Sequence, residues 1–433
     1  MTHPYNAHRK NERGVAIVLV AFSLLALLGM AALAIDIATL YLAHGEAQRA
    51  ADAAALAGAR MFAASGYTSA SSSLAPSDIC QSSPGPGAAA AANRQAEAVA
   101  AQNLIAGQPA TVQSITCIVT PANPQITVTL QRTGLPSFFG RIWGFTTHSV
   151  SATAVAEAYN PSGSTAPIQV QSVKPWLIPN CDPTNAAPGP CVAAADRFVD
   201  NTDGSIRNNG SFVGKKLTLI PAPIPGPPNV NTPPPTLNYY SLNVPIRPPN
   251  PVCPSTSAVS CGLVGSDNYH DNVACTSTFQ FSCGQTVGAG QTMTINPAPV
   301  STNEGTQCLM HASGQGLTRG QDAFTDGSIP VTITGGDNNP NPALQGVPNI
   351  SRSDSIVTVP IYHKVGSADL CPGGCTQTAT IVGFLQLGIT QNSAGGNGRI
   401  EAVIMNVAGC AGTGGTAISG GGVSPIPVRL IHQ

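Results

Sequence analysis

An apolar run without a single charged residue is the strongest pattern in this chain. It extends from Gly14 to Ile35 and has the sequence GVAIVLVAFSLLALLGMAALAI. A helix needs roughly 20 apolar residues to cross the hydrocarbon core of a bilayer, and this run has that length. The pattern therefore predicts one transmembrane helix over residues 14–35, surrounded by membrane lipid.

Basic residues flank this span on one side only. Arg9, Lys10 and Arg13 lie in the segment 1–13, whereas Arg49 is the first lysine or arginine after the span. Basic residues accumulate on the cytoplasmic side of membrane helices. We therefore expect residues 1–13 to be a cytoplasmic flank, and the C-terminal region to lie in the periplasm or outside the cell.

Two other interpretations of the apolar run remain open. The sequence Ala32-Leu33-Ala34 imitates the cleavage site of a signal peptide, although the run is longer than the apolar region of about 7 to 15 residues that such peptides have. The run could also be a buried helix of a globular core. A helix that is apolar on every side over this length is better suited to lipid.

After Ile35 the apolar positions become periodic, which predicts that the helix continues through residues 36–64 as an amphipathic helix. A stripe of small or apolar residues repeats every three or four positions: Leu40, Ala43, Ala47, Ala50, Ala54, Gly58 and Met61. Small residues allow helix backbones to approach closely. The stripe is either the core face of an ordinary amphipathic helix or a surface for partner helices, including a second copy in a homo-oligomer.

Asp36 follows the apolar run directly. A carboxylate at this level can stay hydrated at the membrane surface, and the alternative is a role in proton transfer. We expect an interfacial position.

Low-complexity and strand-forming segments follow the long helix. Residues 65–92 are rich in Ser, Ala, Gly and Pro and are predicted to be a linker. A short helical segment near Asn93 to Ile105 comes next. Together with the strand patterns TVQSITCIV, QITVTLQ and SVSATAVAEAY, it predicts a small α+β module over residues 93–160.

Residues 168–433 are predicted to form a mainly β, disulfide-bearing region, so the expected fold class is α+β. The strand patterns are TMTIN, IPVTITG, SIVTVPIYHKV, TATIVGFLQLGI, GRIEAVIMNVAG and PIPVRLI, and they favour a sandwich-like or irregular β domain. Ile381, Leu385 and Leu387 are expected core residues on one strand. The Pro-rich linker at 220–236 is either a spacer or a loop on one large β domain.

Charged residues are scarce, at 9% of 433 residues with a formal net charge of -1. No basic stripe interleaved with aromatic residues occurs after the first residues, so we expect no nucleic-acid partner. All 12 cysteines lie at or after Cys80, which suits an oxidising compartment. Spacing favours local disulfides in the pairs Cys181 and Cys191, Cys253 and Cys261, Cys275 and Cys283, and Cys371 and Cys375. The last pair is the best candidate for half of a zinc site, but further ligands are not evident.

No motif for catalysis, metal binding or cofactor binding is evident. The nucleophile elbow Gly-x-Ser-x-Gly and the zinc motif His-Glu-x-x-His are missing. The segment 200–204 (DNTDG) misses the EF-hand register, and the glycine-rich segment 412–422 lacks the lysine of a phosphate loop. His270-Asp271 and His311 are the residues to inspect for catalysis. We therefore predict a protein that is not an enzyme, with no catalytic, cofactor-binding or metal-binding residues and no cofactor.

Three short segments occur in a fixed order around the span: Arg13-Gly14, Ala34-Ile35-Asp36, and the segment 48–57 (QRAADAAALA). In this order and spacing they resemble Flp pilus-assembly proteins of the TadE/TadG-like type. The likeness covers residues 12–60, with a weaker likeness in the segment 138–144 (FFGRIWG). Some members carry a von Willebrand A-type domain with an Asp-x-Ser-x-Ser metal motif, which this chain lacks.

The resemblance implies a single-pass protein of the bacterial cytoplasmic (inner) membrane. Its function would be that of a structural or assembly component of a Flp, or tight adherence, pilus or a related secretion system, with other pilus-assembly membrane proteins as partners. Processed pilins carry a glutamate where this chain has Leu19, so we expect the helix to be retained. The alternative is a surface-exposed or secreted adhesin or carbohydrate-binding protein, tethered by its helix.

Overall fold

One helix of 53 residues, α1 (Glu12–Ala64), connects the apolar run to the first folded module. In this computed structural model the apolar part of α1 is almost entirely exposed, whereas one side of the helix is buried from Ala43 onwards. Among the described residues, α1 is the one helix long and apolar enough to cross a membrane. The predicted continuation of the span as a long amphipathic helix is confirmed.

The structure describes residues 12–70, 79–80, 91–118, 123–144, 146–186, 193–222, 230–231, 235–243, 253, 261, 267–276, 280–288, 294–295, 299–312, 322–350, 352–364, 378–392, 397–411, 418–419 and 424–431. Within them the other helices are α2 (Ala91–Gln102), α3 (Asn268–Ala274) and α4 (Pro299–Leu309). The strands are β1 (Leu104–Ile105), β2 (Gln108–Pro109), β3 (Thr111–Ile118), β4 (Gln125–Pro136), β5 (Thr147–Ala158), β6 (Ile168–Gln171), β7 (Trp176–Pro179), β8 (Lys216–Pro221), β9 (Val230–Asn231), β10 (Thr236–Asn243), β11 (Gln280–Ser282), β12 (Thr286–Gly288), β13 (Thr294–Ile295), β14 (Ala323–Phe324), β15 (Ile333–Thr334), β16 (Ile356–Lys364), β17 (Thr378–Asn392), β18 (Ile400–Gly409), β19 (Ile418–Ser419) and β20 (Val428–Ile431). The α+β fold class is confirmed.

A four-stranded antiparallel sheet packs against α1 and α2. Its order is β20-β5-β4-β3. The strand patterns TVQSITCIV, QITVTLQ and SVSATAVAEAY form β3, β4 and β5, as predicted. Alternate residues of β4, Ile126, Val128 and Leu130, are fully buried in the cluster that also contains the helix residues. The outer strand β20 comes from the far end of the chain. The sheet beside α1 therefore contains a strand from outside the predicted 93–160 module.

The alanine stripe of α1 is the core face of this module. Ala47 and Ala54 are 0% exposed, and a Cβ at Gly58 would lie 2.5 Å from Cδ1 of Ile126. The stripe shares one apolar cluster with α2 and with the inner face of the sheet. Of the two alternatives for the stripe, the structure favours the core face, because the protein's own sheet and α2 cover the stripe and leave it unavailable to partner helices or a second copy.

A closed ring of six strands forms the largest part of the remaining chain. The order is β17-β16-β7-β10-β8-β18, and β18 pairs again with β17. Closure is possible because β17 is 15 residues long and pairs with β16 along one edge and with β18 along the other. The predicted sandwich-like arrangement is thus corrected to a closed ring.

Alternate residues from all six strands fill this ring with one apolar cluster, including Trp176, Leu219, Tyr239, Val359, Leu385 and Ile404. Ile381, Leu385 and Leu387 are buried, as expected for core residues. A β-bulge opposite Ile361 and Tyr362 turns Ile381 toward the cluster around α1 instead. The strand therefore contributes to both cores.

Smaller elements surround the ring. β12 pairs with β17, and β9 and β13 pair with β10; β11-β6-β19 form a three-stranded sheet, and β1-β2 and β14-β15 are two-stranded. The helices α3 and α4 pack against each other. Neither helix follows from the strand-rich pattern of residues 168–433.

A buried polar network joins the end of α1 to the ring. The side-chain amide of Asn160 donates hydrogen bonds to the carbonyls of Thr68 and Val407, both at 3.0 Å. The amide of Asn406 donates to Gln386 Oε1 at 2.8 Å and to the carbonyl of Ala63. Buried polar groups that are fully paired specify one arrangement of the elements that carry them.

The structure describes parts of the two predicted linkers. Residues 65–70 and 79–80, in the predicted 65–92 linker, are buried. The Pro-rich segment 220–236 lies between β8 and β10, which are parallel neighbours in one sheet. This placement favours a crossover loop on one β domain over a spacer between domains. Residues 71–78, 81–90, 223–229 and 232–234 lie outside the described residues.

The disulfides connect distant segments. The described pairs are Cys80–Cys117, Cys253–Cys275, Cys261–Cys308 and Cys283–Cys410. The predicted local pairs Cys253 with Cys261 and Cys275 with Cys283 are therefore wrong, since Cys253 is linked to Cys275 at the end of α3 and Cys261 is linked to Cys308 in α4. Cys191, Cys371 and Cys375 lie outside the described residues, so their predicted pairs stay predictions.

Peptide mapping under non-reducing conditions tests this connectivity. We expect a linked peptide that contains Cys283 and Cys410, which are 127 residues apart in the sequence. A peptide in which Cys275 is linked to Cys283 would contradict the structure. The reduced and alkylated protein serves as the control.

Leucine at position 54 should disturb the close approach of α1 to its sheet. Ala54 is 0% exposed, and overpacking of a filled core typically costs about 1–3 kcal/mol. We expect Ala54→Leu to lower the unfolding temperature of the full chain in detergent. The matched control is Ala38→Leu on the exposed side of the same helix. Equal unfolding temperatures for the two variants would refute the packing.

Candidate functional site

Three segments meet where the apolar run ends: α1, the last residues of β4, and the connection from β4 to β5. This meeting point is the candidate functional site, because it couples the predicted membrane span to the folded part of the chain. The side chain at its centre is Asp36, which is 7% exposed.

Four groups of the β4–β5 connection bind the carboxylate of Asp36. Oδ1 accepts a hydrogen bond from the backbone N–H of Phe138 at 2.9 Å. Oδ2 accepts from the N–H groups of Phe139 and Gly140, at 3.1 and 2.8 Å, and from the hydroxyl of Ser137 at 3.1 Å. Successive N–H groups directed at one anion form a concave anion site. Asp36 is therefore the anchor of this connection.

The connection has a defined backbone shape. Residues Gly140–Trp143 form one turn of 3-10 helix, which ends at Gly144 with φ 88°. The N–H of Gly144 donates to the carbonyl of Arg141 at 3.1 Å. Glycine adopts this left-handed conformation without a steric penalty. The segment 138–144 thus folds into a compact turn against α1.

Hydrogen bonding keeps Asp36 ionised. Desolvation raises the pKa of this carboxyl group, but the hydrogen bonds from the backbone of Gly140, Phe138 and Phe139 and from Ser137 lower it more. The net pKa lies below the usual value for aspartate. Since a depressed pKa in the folded state stabilises the fold above the unfolded pKa, this anchor is lost as the pH falls through the folded pKa.

The covered face of α1 extends one turn further toward the N-terminus. Ala32, which lies one helical turn before Asp36 on the same face, is 8% exposed, whereas Leu33 and Ile35 are 55% and 48% exposed. The expected interfacial position of Asp36 agrees with this arrangement. The sequence did not reveal its partners, because they lie about a hundred residues away.

The other candidate residues are not brought into one site. His270 contacts its neighbour Asp271, and His311 contacts Asp354 at 2.7 Å. The segment 200–204 is a hydrogen-bonded turn, in which Asp200 accepts from the N–H of Thr202. Within the described part of the chain, no group of three His, Cys, Asp or Glu side chains could hold a metal ion. Residues 412–417 and 420–422 lie outside that part.

A cleft of about 410 Å³ lies near the end of α1. Its lining includes Arg60, Arg352, Asp354, Gln386 and Ile426. The two arginines and Asp354 are exposed. The cleft is open to solvent.

Comparison with known proteins gives one finding for the described site. The model of a family described as putative Flp pilus-assembly TadE/G-like matches residues 14–61. No match is found among curated proteins, and none among solved structures. The resemblance in the N-terminal region is thereby confirmed.

The matched segment includes the apolar run, Asp36 and all seven residues of the stripe. It supports a component related to the Flp, or tight adherence, pilus. One N-terminal apolar helix, together with this family match, fits a single-pass membrane protein.

Replacement of Asp36 by alanine should release the β4–β5 connection. Because the N–H groups of residues 138–140 lose their acceptor, we expect their hydrogen exchange to become at least about tenfold faster, as for groups that open locally. The measurement is exchange mass spectrometry of the full chain in detergent. The control is Asp52→Ala on the same helix, whose carboxylate accepts from Gln48 within α1. Unchanged exchange in Asp36→Ala would disprove the anchor.

Proposed function

We propose that this chain is a membrane-anchored structural or assembly component of a Flp/tight adherence pilus or a related secretion system, and that it is not an enzyme. The observation that supports this most directly is the family match over residues 14–61. The fold and the candidate site agree with it, since the hydrogen bonds to Asp36 hold the β4–β5 connection against α1.

The proposed mechanism is mechanical. The helix α1 is continuous from the span into the core of the module, and the stripe of the same helix is packed under the sheet. Asp36 fixes the connection 137–140 at the end of the span. These two contacts prevent the module from turning about the helix, so the span sets the position of the whole folded region relative to the membrane.

The proposed location is the bacterial cytoplasmic membrane, with the N-terminus in the cytoplasm and the folded region in the periplasm. The basic residues before the span support this orientation. The four described disulfides support an oxidising compartment for residues after Cys80. Other pilus-assembly membrane proteins are the proposed partners. They would bind exposed surfaces, since the alanine stripe is covered.

A deletion strain tests the proposal. In the bacterium that carries this gene, we expect deletion to abolish or strongly reduce Flp-type pili counted by electron microscopy, and the wild-type gene to restore them. Complementation with Asp36→Ala should restore fewer pili at equal protein abundance, whereas Asp52→Ala should act as wild type. Equal abundance is checked by immunoblotting of membranes.

The adhesin alternative predicts a different result in the same experiment. A strain that assembles normal pili but no longer attaches to a surface or a glycan would favour an adhesin or carbohydrate-binding protein. Normal pili and normal attachment in the deletion strain would contradict both functions.

A further inference from the structure

The turn that Asp36 anchors exposes two aromatic side chains near the end of the span. Phe138 is 59% exposed and Phe139 is 36% exposed. Arg141, in the same turn, is also exposed. Large apolar side chains that stay exposed on a turn of fixed shape mark a contact surface.

The position of this turn along α1 is set by Asp36, whose carboxylate holds the backbone of residues 138–140. Asp36 directly follows the apolar run 14–35, which has the length of the hydrocarbon core. The burial of Ala32 shows that the covered face reaches one turn further toward the span. Hence the turn lies at the level where the hydrocarbon core gives way to the headgroups.

The open side of α1 remains apolar past this level. Ile37, Tyr41 and Leu42 are 56%, 80% and 61% exposed. From Gly14 to Asp36 the helix rises by about 33 Å, slightly more than the hydrocarbon core of about 30 Å. Asp36 and the turn are therefore inside the headgroup layer when α1 spans the membrane.

The backbone of the turn is suited to such a layer. The N–H groups of residues 138–140 already donate to Asp36, and the N–H of Gly144 donates to the carbonyl of Arg141. Paired polar groups make partial dehydration less costly. Phenylalanine is among the residues that interfacial segments bury at the boundary of headgroups and acyl chains, and arginine can extend its charged end to the headgroups.

We propose that the β4–β5 turn is a second membrane contact: Phe138 and Phe139 insert into the interfacial layer of the bilayer beside α1, with Arg141 at the phosphates. The span and the turn hold the α+β module at two points. These two points define the tilt of the module relative to the membrane as well as its distance from the membrane. This inference requires that α1 spans a membrane, but it does not depend on a role in a pilus.

Photo-cross-linking from single positions tests the contact. The photoreactive residue p-benzoylphenylalanine replaces Phe138 in the full chain, which is reconstituted in nanodiscs of phosphatidylcholine and phosphatidylglycerol. After irradiation, lipid adducts are quantified by mass spectrometry. We expect adducts at position 138 in a yield comparable to that from position 33, an exposed residue of the span.

Ile118 provides the matched control. It is 62% exposed and pairs with Gln125 at the opposite end of β4, which places it roughly 36 Å from the turn at about 3.3 Å per strand residue. We expect the lipid yield at position 118 to be at least about fivefold lower, because this end of the sheet is outside the bilayer.

Two results would overturn the proposal. The first is a lipid yield at position 138 as low as at position 118 while position 33 reacts. The second is cross-linking of position 138 mainly to protein, either a second copy or a co-purified partner. An unfolding temperature equal to wild type shows that each substituted chain is folded, so a low yield cannot be assigned to misfolding.

Discussion

Hydrogen bonds to one carboxylate position the folded region of this chain with respect to its apolar helix. On the N-terminal side of Asp36, α1 needs apolar side chains in every direction. On the C-terminal side, one face of α1 must fit a protein core. The chain makes this change within about three turns, from Ala32 to Ala43. Asp36 lies inside this interval, and the backbone N–H dipoles of the β4–β5 turn stabilise its negative charge. The position of the sheet along α1 follows from that contact.

Small residues then determine how closely the sheet lies on α1. Alanines with no exposed surface leave little distance between the helix backbone and β4, and Gly58 is in contact with Ile126. The polar network around Asn160 and Asn406 connects the end of α1 to the six-stranded ring by hydrogen bonds. Asp36 therefore sets the position of the folded region along α1, and the small residues set the distance between the sheet and the helix. The polar network sets the orientation of the six-stranded ring.

Local patterns predicted those parts of the fold that depend on nearby residues. The length of α1, the strands β3, β4 and β5, and the long strands β16, β17 and β18 follow from hydrophobic periodicity. The ring closure did not, because it depends on β17 pairing along both edges. The disulfide Cys283–Cys410 and the partners of Asp36 are similarly distant in sequence. The interfacial position of Asp36 stays a prediction, and the sequence did not reveal the turn that binds its carboxylate.

The return of β20 to the first sheet has a consequence for export of the chain. In the proposed orientation residues cross the membrane in order, so β3, β4 and β5 emerge long before Val428–Ile431 can pair with Val155–Ala158. The edge of β5 stays uncovered during this interval, which is a state prone to wrong pairing. The sheet beside the membrane is thus completed only after β20 has crossed.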